Sequence, residues 1–139
     1  MKIFILNGPN LNLLGEREPE VYGTLTLKQI CTELTNYAKE GVQLDFFQSN
    51  HEGALINVLH EARHTHDAVI FNPAAFTHYS YALRDAIAAI AIPVVEVHLS
   101  NPDRREDFRA INVVREVCAA HFQGEGLQSY RDALDYLLK

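Results

Sequence analysis

The chain has 139 residues, of which 47% are hydrophobic and 22% charged, and its formal net charge at pH 7 is −6. These values predict one soluble globular domain over residues 1–139, and they disfavour a nucleic-acid partner, which needs a basic surface. The apolar runs are too short or too interrupted to cross a bilayer, and the N-terminus lacks the features of a signal peptide. We therefore expect a cytoplasmic protein with no membrane partner.

The hydrophobic pattern predicts strands and helices in regular alternation. The predicted strands are Ile3–Leu6, Val42–Gln48, Ala68–Phe71, a run that begins at Pro93, and a short run around Val117–Phe122. The predicted helices are Thr26–Glu40 with a capping box from Thr26 to Gln29, Glu52–His66, one capped by Thr77, one near Arg104–Arg115, and Leu127–Leu138. Such alternation predicts an α/β fold, a flavodoxin-like, three-layer, doubly wound five-stranded parallel sheet.

The connection between the first strand and the first of these helices is unusually long. It spans residues 7–23, NGPNLNLLGEREPEVYG, whereas such connections normally take about 2 to 6 residues. It contains Leu11 and Leu14, and disordered insertions are poor in residues of this kind. Long ordered loops are commonly binding or catalytic elements, so we interpret this segment, with Arg17 and Tyr22, as a catalytic loop.

Polar side chains follow three of the predicted strands. Asn7 and Asn10 follow the first, Asn72 and then His78 the third, and His98 with Ser100 the fourth. Each of them alone is typical of a turn, a cap or a structural histidine. Because the carboxyl ends of parallel strands meet at one edge of a sheet, where ligands bind, together they indicate a site.

Several usual ligands of such a sheet have little support in the sequence. The chain has no GxGxxG and no GxxxxGK[ST] motif, which disfavours dinucleotides and nucleoside triphosphates and leaves flavin as a weak alternative. A response regulator needs a phosphate-accepting carboxylate after the third strand, where Asn72 stands. His60-Glu61-Ala62-Arg63-His64 matches the HExxH zinc motif, but the helical pattern places His60 and His64 away from the sheet, so we expect no metal site.

Four segments of the chain carry a family resemblance. They are NGPNLNLLGEREPEVYG, QSNHEGALI, NPAAFTHYSYALRDA and PVVEVHLSNPDRREDFR, in order from residue 3 to about residue 109. Together they resemble the type II 3-dehydroquinate dehydratases. After Phe108-Arg109 the family has a His-Ser-Tyr-like stretch, whereas this chain has Ala110-Ile111-Asn112. The resemblance implies a lyase that interconverts 3-dehydroquinate and 3-dehydroshikimate through an enolate, without cofactor or metal.

The resemblance also implies catalytic roles. The reaction removes a proton next to a ketone and expels a β-hydroxyl, which requires a base, an enolate stabiliser and an acid. Tyr22 is the implied base, and Arg17 is the cation that favours its phenolate. Asn10 resembles the residue that orients a water on the enolate oxygen. His98 is the implied acid, with Glu96 as its supporting residue.

The implied binding residues surround the same edge of the sheet. Asn72 and the backbone amides of Leu99 and Ser100 hold the substrate carboxylate and the reacting hydroxyl, and His78 and Arg109 contact the ring hydroxyls. The resemblance also implies that Asp85 completes the site of a neighbouring subunit in a homododecamer built from trimers.

Two points stay open at the level of the sequence. The runner-up function is an inactive flavodoxin-like binding module for a small anionic ligand or flavin, which would need neither Tyr22 nor Arg17. The same dehydration step serves both the shikimate pathway, which leads to aromatic amino acids, and quinate catabolism.

Overall fold

The structure is a computed structural model that describes residues 1–16, 19–102 and 105–139, without the side chains of residues 21 and 22. The strands are β1 Lys2–Asn7, β2 Gln43–Gln48, β3 Ala68–Asn72, β4 Val94–His98 and β5 Ala120–Gln123. The helices are α1 Pro19–Tyr22, α2 Leu27–Tyr37, α3 Glu52–Thr65, α4 Tyr81–Ala89 and α5 Leu127–Leu137. Short 3-10 helices lie at Leu11–Leu13, Ala74–His78, Asp107–Ala110 and Arg115–Val117.

The strands form one parallel sheet in the order β2-β1-β3-β4-β5. Apolar side chains cover both of its faces, as expected of strands buried between helices. On one face, Ile5, Ile70 and Val95 share a core cluster with residues of α2 and α5. On the other, Leu6, Phe71 and Val94 cluster with residues of α3 and α4. The predicted three-layer, flavodoxin-like arrangement is confirmed.

The predicted start of the helix after the long loop is confirmed at atomic detail. The Thr26 hydroxyl accepts the backbone N–H of Gln29, and the Gln29 side chain accepts the backbone N–H of Thr26. This capping box satisfies two N–H groups that the helix itself leaves unpaired. The helix ends at Tyr37, earlier than predicted, because Ala38 is extended.

The third predicted helix corresponds to α4, and the prediction that Thr77 caps it is wrong. Ser80 caps α4, with its hydroxyl accepting the N–H of Leu83 at 3.0 Å. Thr77 lies inside the 3-10 helix Ala74–His78, fully buried, and its hydroxyl donates to Glu96 instead. Serine and threonine are both favourable N-cap residues, and tertiary contacts decide which hydroxyl caps the helix.

The prediction of a helix near Arg104–Arg115 is also wrong. The residues of this range that the structure describes, from 105 onward, form no α-helix. Here the chain makes a 3-10 turn at Asp107–Ala110, and Val113 then donates its N–H to Thr77 O at 2.8 Å. The Asn112 side chain accepts the N–H groups of Val114 and Arg115 at 2.9 and 2.8 Å. Such side-chain bonds compete with helical ones. A second 3-10 turn follows at Arg115–Val117, so β5 begins at Ala120, later than the predicted Val117.

The long connection after β1 is ordered in its described part. Leu11 and Leu14 are buried in the cluster beneath α2 and α5, which anchors the segment to the core. The prediction of an ordered loop, as opposed to a disordered insertion, is confirmed to this extent. Among the described helices, none is both long and apolar enough to span a membrane.

Candidate active site

A pocket opens at the carboxyl ends of β1, β3 and β4, beside the point between β1 and β3 where the strand order reverses. Doubly wound sheets bind their ligands in this crevice. Seven of the predicted site residues line it: Asn10, Asn72, His78, His98, Leu99, Ser100 and Arg109. The lining also includes Pro9, Leu11, Leu14, Ala74, Ala75, Pro102 and Arg105.

The other predicted site residues lie elsewhere. Glu96 is fully buried behind His98, and Asp85 is exposed on α4, apart from the pocket. Arg17 lies outside the described residues. Tyr22 ends α1, and its side chain is outside the description.

A buried carboxylate supports the histidine at the end of β4. Glu96 and His98 are two residues apart on one strand, so their side chains project from the same face of the sheet. His98 Nε2 lies 2.6 Å from Glu96 Oε2. An ionised carboxylate only accepts, so Nε2 carries the proton of this bond. A proton exchanged with a ligand in the pocket would therefore be carried on Nδ1.

Three further side chains surround the Glu96 carboxylate. Thr77 Oγ1 donates at 2.5 Å and Asn112 Nδ2 at 2.8 Å to Oε2, while Arg115 Nε lies 4.0 Å from Oε1. Burial by itself raises the pKa of Glu96, but the hydrogen bond and charge of His98, with the bonds from Thr77 and Asn112, hold that pKa below its usual value. The carboxylate is therefore ionised at neutral pH and accepts the Nε2 hydrogen of His98.

Asn72 lines the pocket at the end of β3, with its carboxamide held from two sides. Its Oδ1 accepts the N–H of Ala74 at 3.1 Å, and its Nδ2 donates to the Tyr130 hydroxyl at 3.0 Å. The side chain is 2% exposed. The second Nδ2 hydrogen is the donor that Asn72 can offer to a ligand.

His78 presents a neutral imidazole to the pocket. Its Nδ1 lies 2.7 Å from Ile111 O, and a carbonyl only accepts, so Nδ1 carries the proton and Nε2 is an acceptor. Burial lowers the pKa of His78, and the nearby charges of His98 and Arg109 lower it further, against the opposing bond to Ile111. A hydroxyl group of a ligand is a suitable donor to Nε2.

The loop that carries Asn10 is tied to the loop after β2. Asn10 has a left-handed backbone, with φ 70°, and its N–H donates to Asn50 Oδ1 at 2.9 Å. Gln48 Nε2 donates to the same oxygen at 3.1 Å and to Gly8 O at 3.1 Å. These bonds place Asn10 at the pocket rim.

Arg105 and Arg109 give the pocket a cationic side. The Arg109 guanidinium pairs with Glu106 and lies 4.8 Å over the Phe108 ring, which orients it. The arrangement suits an anionic ligand bearing hydroxyl groups, despite the net negative charge of the chain.

The sequence did not predict the buried residues that hydrogen-bond to Glu96 and Asn72. Thr77 was assigned to a helix cap, Asn112 to a helix interior, and Tyr130 stands 58 residues from Asn72 and 123 from Asn7. No local pattern marks such contacts.

The HExxH segment has the geometry expected of a surface helix. His60 and His64 are exposed on α3, while Leu55, Leu59 and Ala62 are buried against the sheet. Within the described ranges, no group of three or more His, Cys, Asp or Glu side chains could hold a metal ion.

The chain is similar to proteins of one known family. The model of the family "Dehydroquinase class II" matches residues 1–138. The 3-dehydroquinate dehydratase of Bacillus pumilus is 57% identical over 135 residues, which cover 96% of this chain and 92% of the relative. That of Pelotomaculum thermopropionicum is 56% identical over 135 residues, covering 96% and 94%.

Solved structures show the same likeness. The crystal structure of the type II dehydroquinase of Butyrivibrio crossotus superposes with a TM-score of 0.97 at 44% identity, covering 100% of this chain and 98% of that one. The comparisons give no support to the alternative of an inactive binding module. The chain belongs to the class II dehydroquinase family.

Proposed function

We propose that this pocket is where the chain, an enzyme of the class II dehydroquinase family, removes water from 3-dehydroquinate to form 3-dehydroshikimate. The observation that carries the proposal is the buried Glu96–His98 pair, which opens into a pocket that also holds the Asn72 amide and two arginines. The pair supplies an acid, and the amide and the arginines suit an anionic, hydroxylated substrate.

In this proposal His98 protonates the departing hydroxyl. Ionised Glu96 stabilises the imidazolium and fixes the ring, and the bonds from Thr77 and Asn112 fix Glu96 in turn. A carboxylate whose remaining lone pairs are engaged keeps its orientation when the charge on the histidine changes. Glu96 is thus a positioning residue for the acid.

The substrate is anchored around the same edge of the sheet. Asn72 and the backbone amides of Leu99 and Ser100 hold the carboxylate and the reacting hydroxyl. His78 accepts from a ring hydroxyl through Nε2, and Arg109 donates to the ring hydroxyls. The proposal is supported by the position of these groups around one pocket at the strand ends.

The base comes from the loop after β1. Tyr22 as phenolate removes the proton next to the ketone, Arg17 supplies the charge that favours the phenolate, and Asn10 orients a water on the enolate oxygen. These roles rest on the family and on the position of the loop, whose residues Asn10 and Leu14 line the pocket.

Activity should not depend on a metal. We expect protein exhaustively treated with a chelator to convert 3-dehydroquinate at the untreated rate, measured by the ultraviolet absorption of the conjugated product, because side chains and amides can fill every proposed role. A His60→Asn/His64→Asn double variant provides the control. Loss of turnover on chelation, restored by zinc in the parent but not in this variant, would instead assign catalysis to the HExxH segment.

We also propose that copies of the chain assemble as trimers within a dodecamer, with Asp85 completing the pocket of a neighbour. Asp85 is exposed and apart from its own pocket. Tyr81, one helical turn before it, is 68% exposed, and Tyr79 is 59% exposed. Large exposed rings beside a charged residue are typical of a surface that another subunit covers.

Mixed assemblies test this shared site. Tyr22→Phe and Asp85→Ala should each lower turnover in pure assemblies, and mixing them should restore some activity, because a pocket combining the intact Tyr22 of one subunit with the intact Asp85 of another is complete. Subunit exchange is verified by mass spectrometry. Full exchange without recovery would place Asp85 outside the neighbour's site.

The proposed step belongs to the shikimate pathway or to quinate catabolism, since both use it. We propose a cytoplasmic location, in keeping with the composition of the chain.

A further inference from the structure

Tyr130, on the last helix, contacts the ends of two strands next to the pocket. Tyr130 on α5 is fully buried, and its hydroxyl lies between Asn7 of β1 and Asn72 of β3. These two asparagines face each other in the register of the parallel strands, at the point where the strand order reverses. The hydroxyl therefore contacts a residue that lines the pocket, Asn72, although Tyr130 itself is not part of the lining.

The hydrogen bonds around this hydroxyl have a defined direction. The Ala74 N–H can only donate, so the Asn72 oxygen faces Ala74, and Asn72 Nδ2 faces Tyr130. A phenol has one proton, so while Tyr130 accepts from Asn72 its own proton goes to Asn7 Oδ1, at 2.6 Å. Burial raises the pKa of Tyr130 well above its usual value, so the proton stays in place.

This chain of bonds determines what Asn72 offers to the pocket. One Nδ2 hydrogen is taken by Tyr130 and the oxygen by Ala74, which leaves the second Nδ2 hydrogen as a fixed donor. We propose that Tyr130 is a positioning residue for substrate binding, which holds the Asn72 amide so that it donates to the substrate carboxylate. The inference rests on the proposed role of Asn72 in the dehydratase site.

The ring and the hydroxyl of Tyr130 have separable roles. The ring belongs to the core cluster with Ile5, Ile70 and Leu134, whereas the hydroxyl reaches the two asparagines. Tyr130→Phe keeps the ring and removes the hydroxyl. Asn72 then loses one of its two restraints, and its amide can turn away from the bound carboxylate.

The test compares kinetics with an anionic and a neutral substrate. For Tyr130→Phe we expect KM for 3-dehydroquinate to rise about tenfold with kcat changed less than about threefold, since a hydrogen bond to a charged group is weakened. KM for the methyl ester of 3-dehydroquinate should change little. Tyr136→Phe is the control, because Tyr136 is also on α5 but donates to Ala119 O at 3.3 Å. An unchanged KM, or an equal rise for acid and ester, would overturn the inference.

A double-variant cycle separates this inference from the role of Asn72. Asn72→Ala alone should raise KM for the acid, and adding Tyr130→Phe should have no further effect on KM. If Asn72→Ala leaves KM unchanged, the carboxylate-binding role of Asn72 is wrong. If Asn72→Ala raises KM and Tyr130→Phe raises it independently, the coupling through Tyr130 is wrong.

Asn7→Ala examines the same contact if Tyr130→Phe does not fold. Without its acceptor, the Tyr130 proton can turn toward Asn72 and compete with the Asn72 N–H. KM for the acid should again rise more than KM for the ester. Equal changes for acid and ester would contradict the proposed positioning.

Discussion

Replacing Glu96 by Gln should lower kcat about 10²-fold, at the lower end of what acid–base catalysis contributes, with little change in KM. The variant removes the negative charge that stabilises the His98 imidazolium at 2.6 Å. It also replaces one of the two acceptor oxygens by an NH2 donor, although Thr77, Asn112 and His98 all donate to this carboxylate. The rates of the parent chain and of Glu96→Gln are compared over a pH series from the absorption of the product.

The same variant should alter stability in a predictable direction. Because the pKa of Glu96 is below its usual value, its ionisation stabilises the fold fully above the unfolded pKa of about 4.3. That stabilisation is lost as the pH falls through the lower folded pKa. Urea unfolding at several acidic pH values should show a larger loss of stability in the parent chain than in Glu96→Gln.

Glu116→Gln is a matched control for both measurements. Glu116 is 78% exposed on its side chain and pairs with Arg84 at the surface, so its loss should leave the kinetics unchanged. If Glu96→Gln keeps the parent rate and pH profile, Glu96 has a structural role without influence on the acid.

Tyr22→Phe should lose most turnover, by about 10³-fold or more, while it still binds the substrate. Phenylalanine keeps the ring and removes the oxygen that takes the proton. Turnover is measured from product absorption, and binding from calorimetry with 3-dehydroquinate. Near-parental turnover would show that Tyr22 is not the base.

Arg17 provides the second half of this test. An ordinary phenol titrates near pH 10, so the base needs a nearby positive charge to work near neutral pH. Arg17→Ala and Arg17→Gln should both cut kcat and move the rise of activity to higher pH. Arg17→Lys should recover part of the rate, since it restores charge but not the planar donor array. An unchanged rate and pH profile in Arg17→Ala would contradict the proposed activation.

The sequence by itself determined the architecture and the position of the site. Strand and helix periods, with the capping box at Thr26, predict the five strands and most of the helices, because these signals depend on neighbours within a few residues. Parallel topology then brings Asn72 and His98 to the same edge of the sheet. The family resemblance added catalytic and binding roles that no local pattern contains.

Only the tertiary structure determined which buried residues hydrogen-bond to the residues of the candidate site. Between β4 and β5, Asn112 turns its side chain to the backbone and to Glu96, and no long helix forms over the described residues there. Thr77 donates to Glu96 instead of capping α4, and Tyr130 reaches Asn7 across 123 residues of sequence. Each of these polar groups is satisfied by a partner distant in the chain, since a buried donor or acceptor left unpaired costs about 1–3 kcal/mol. Which distant partner meets that demand depends on packing in three dimensions, and no short-range pattern records it.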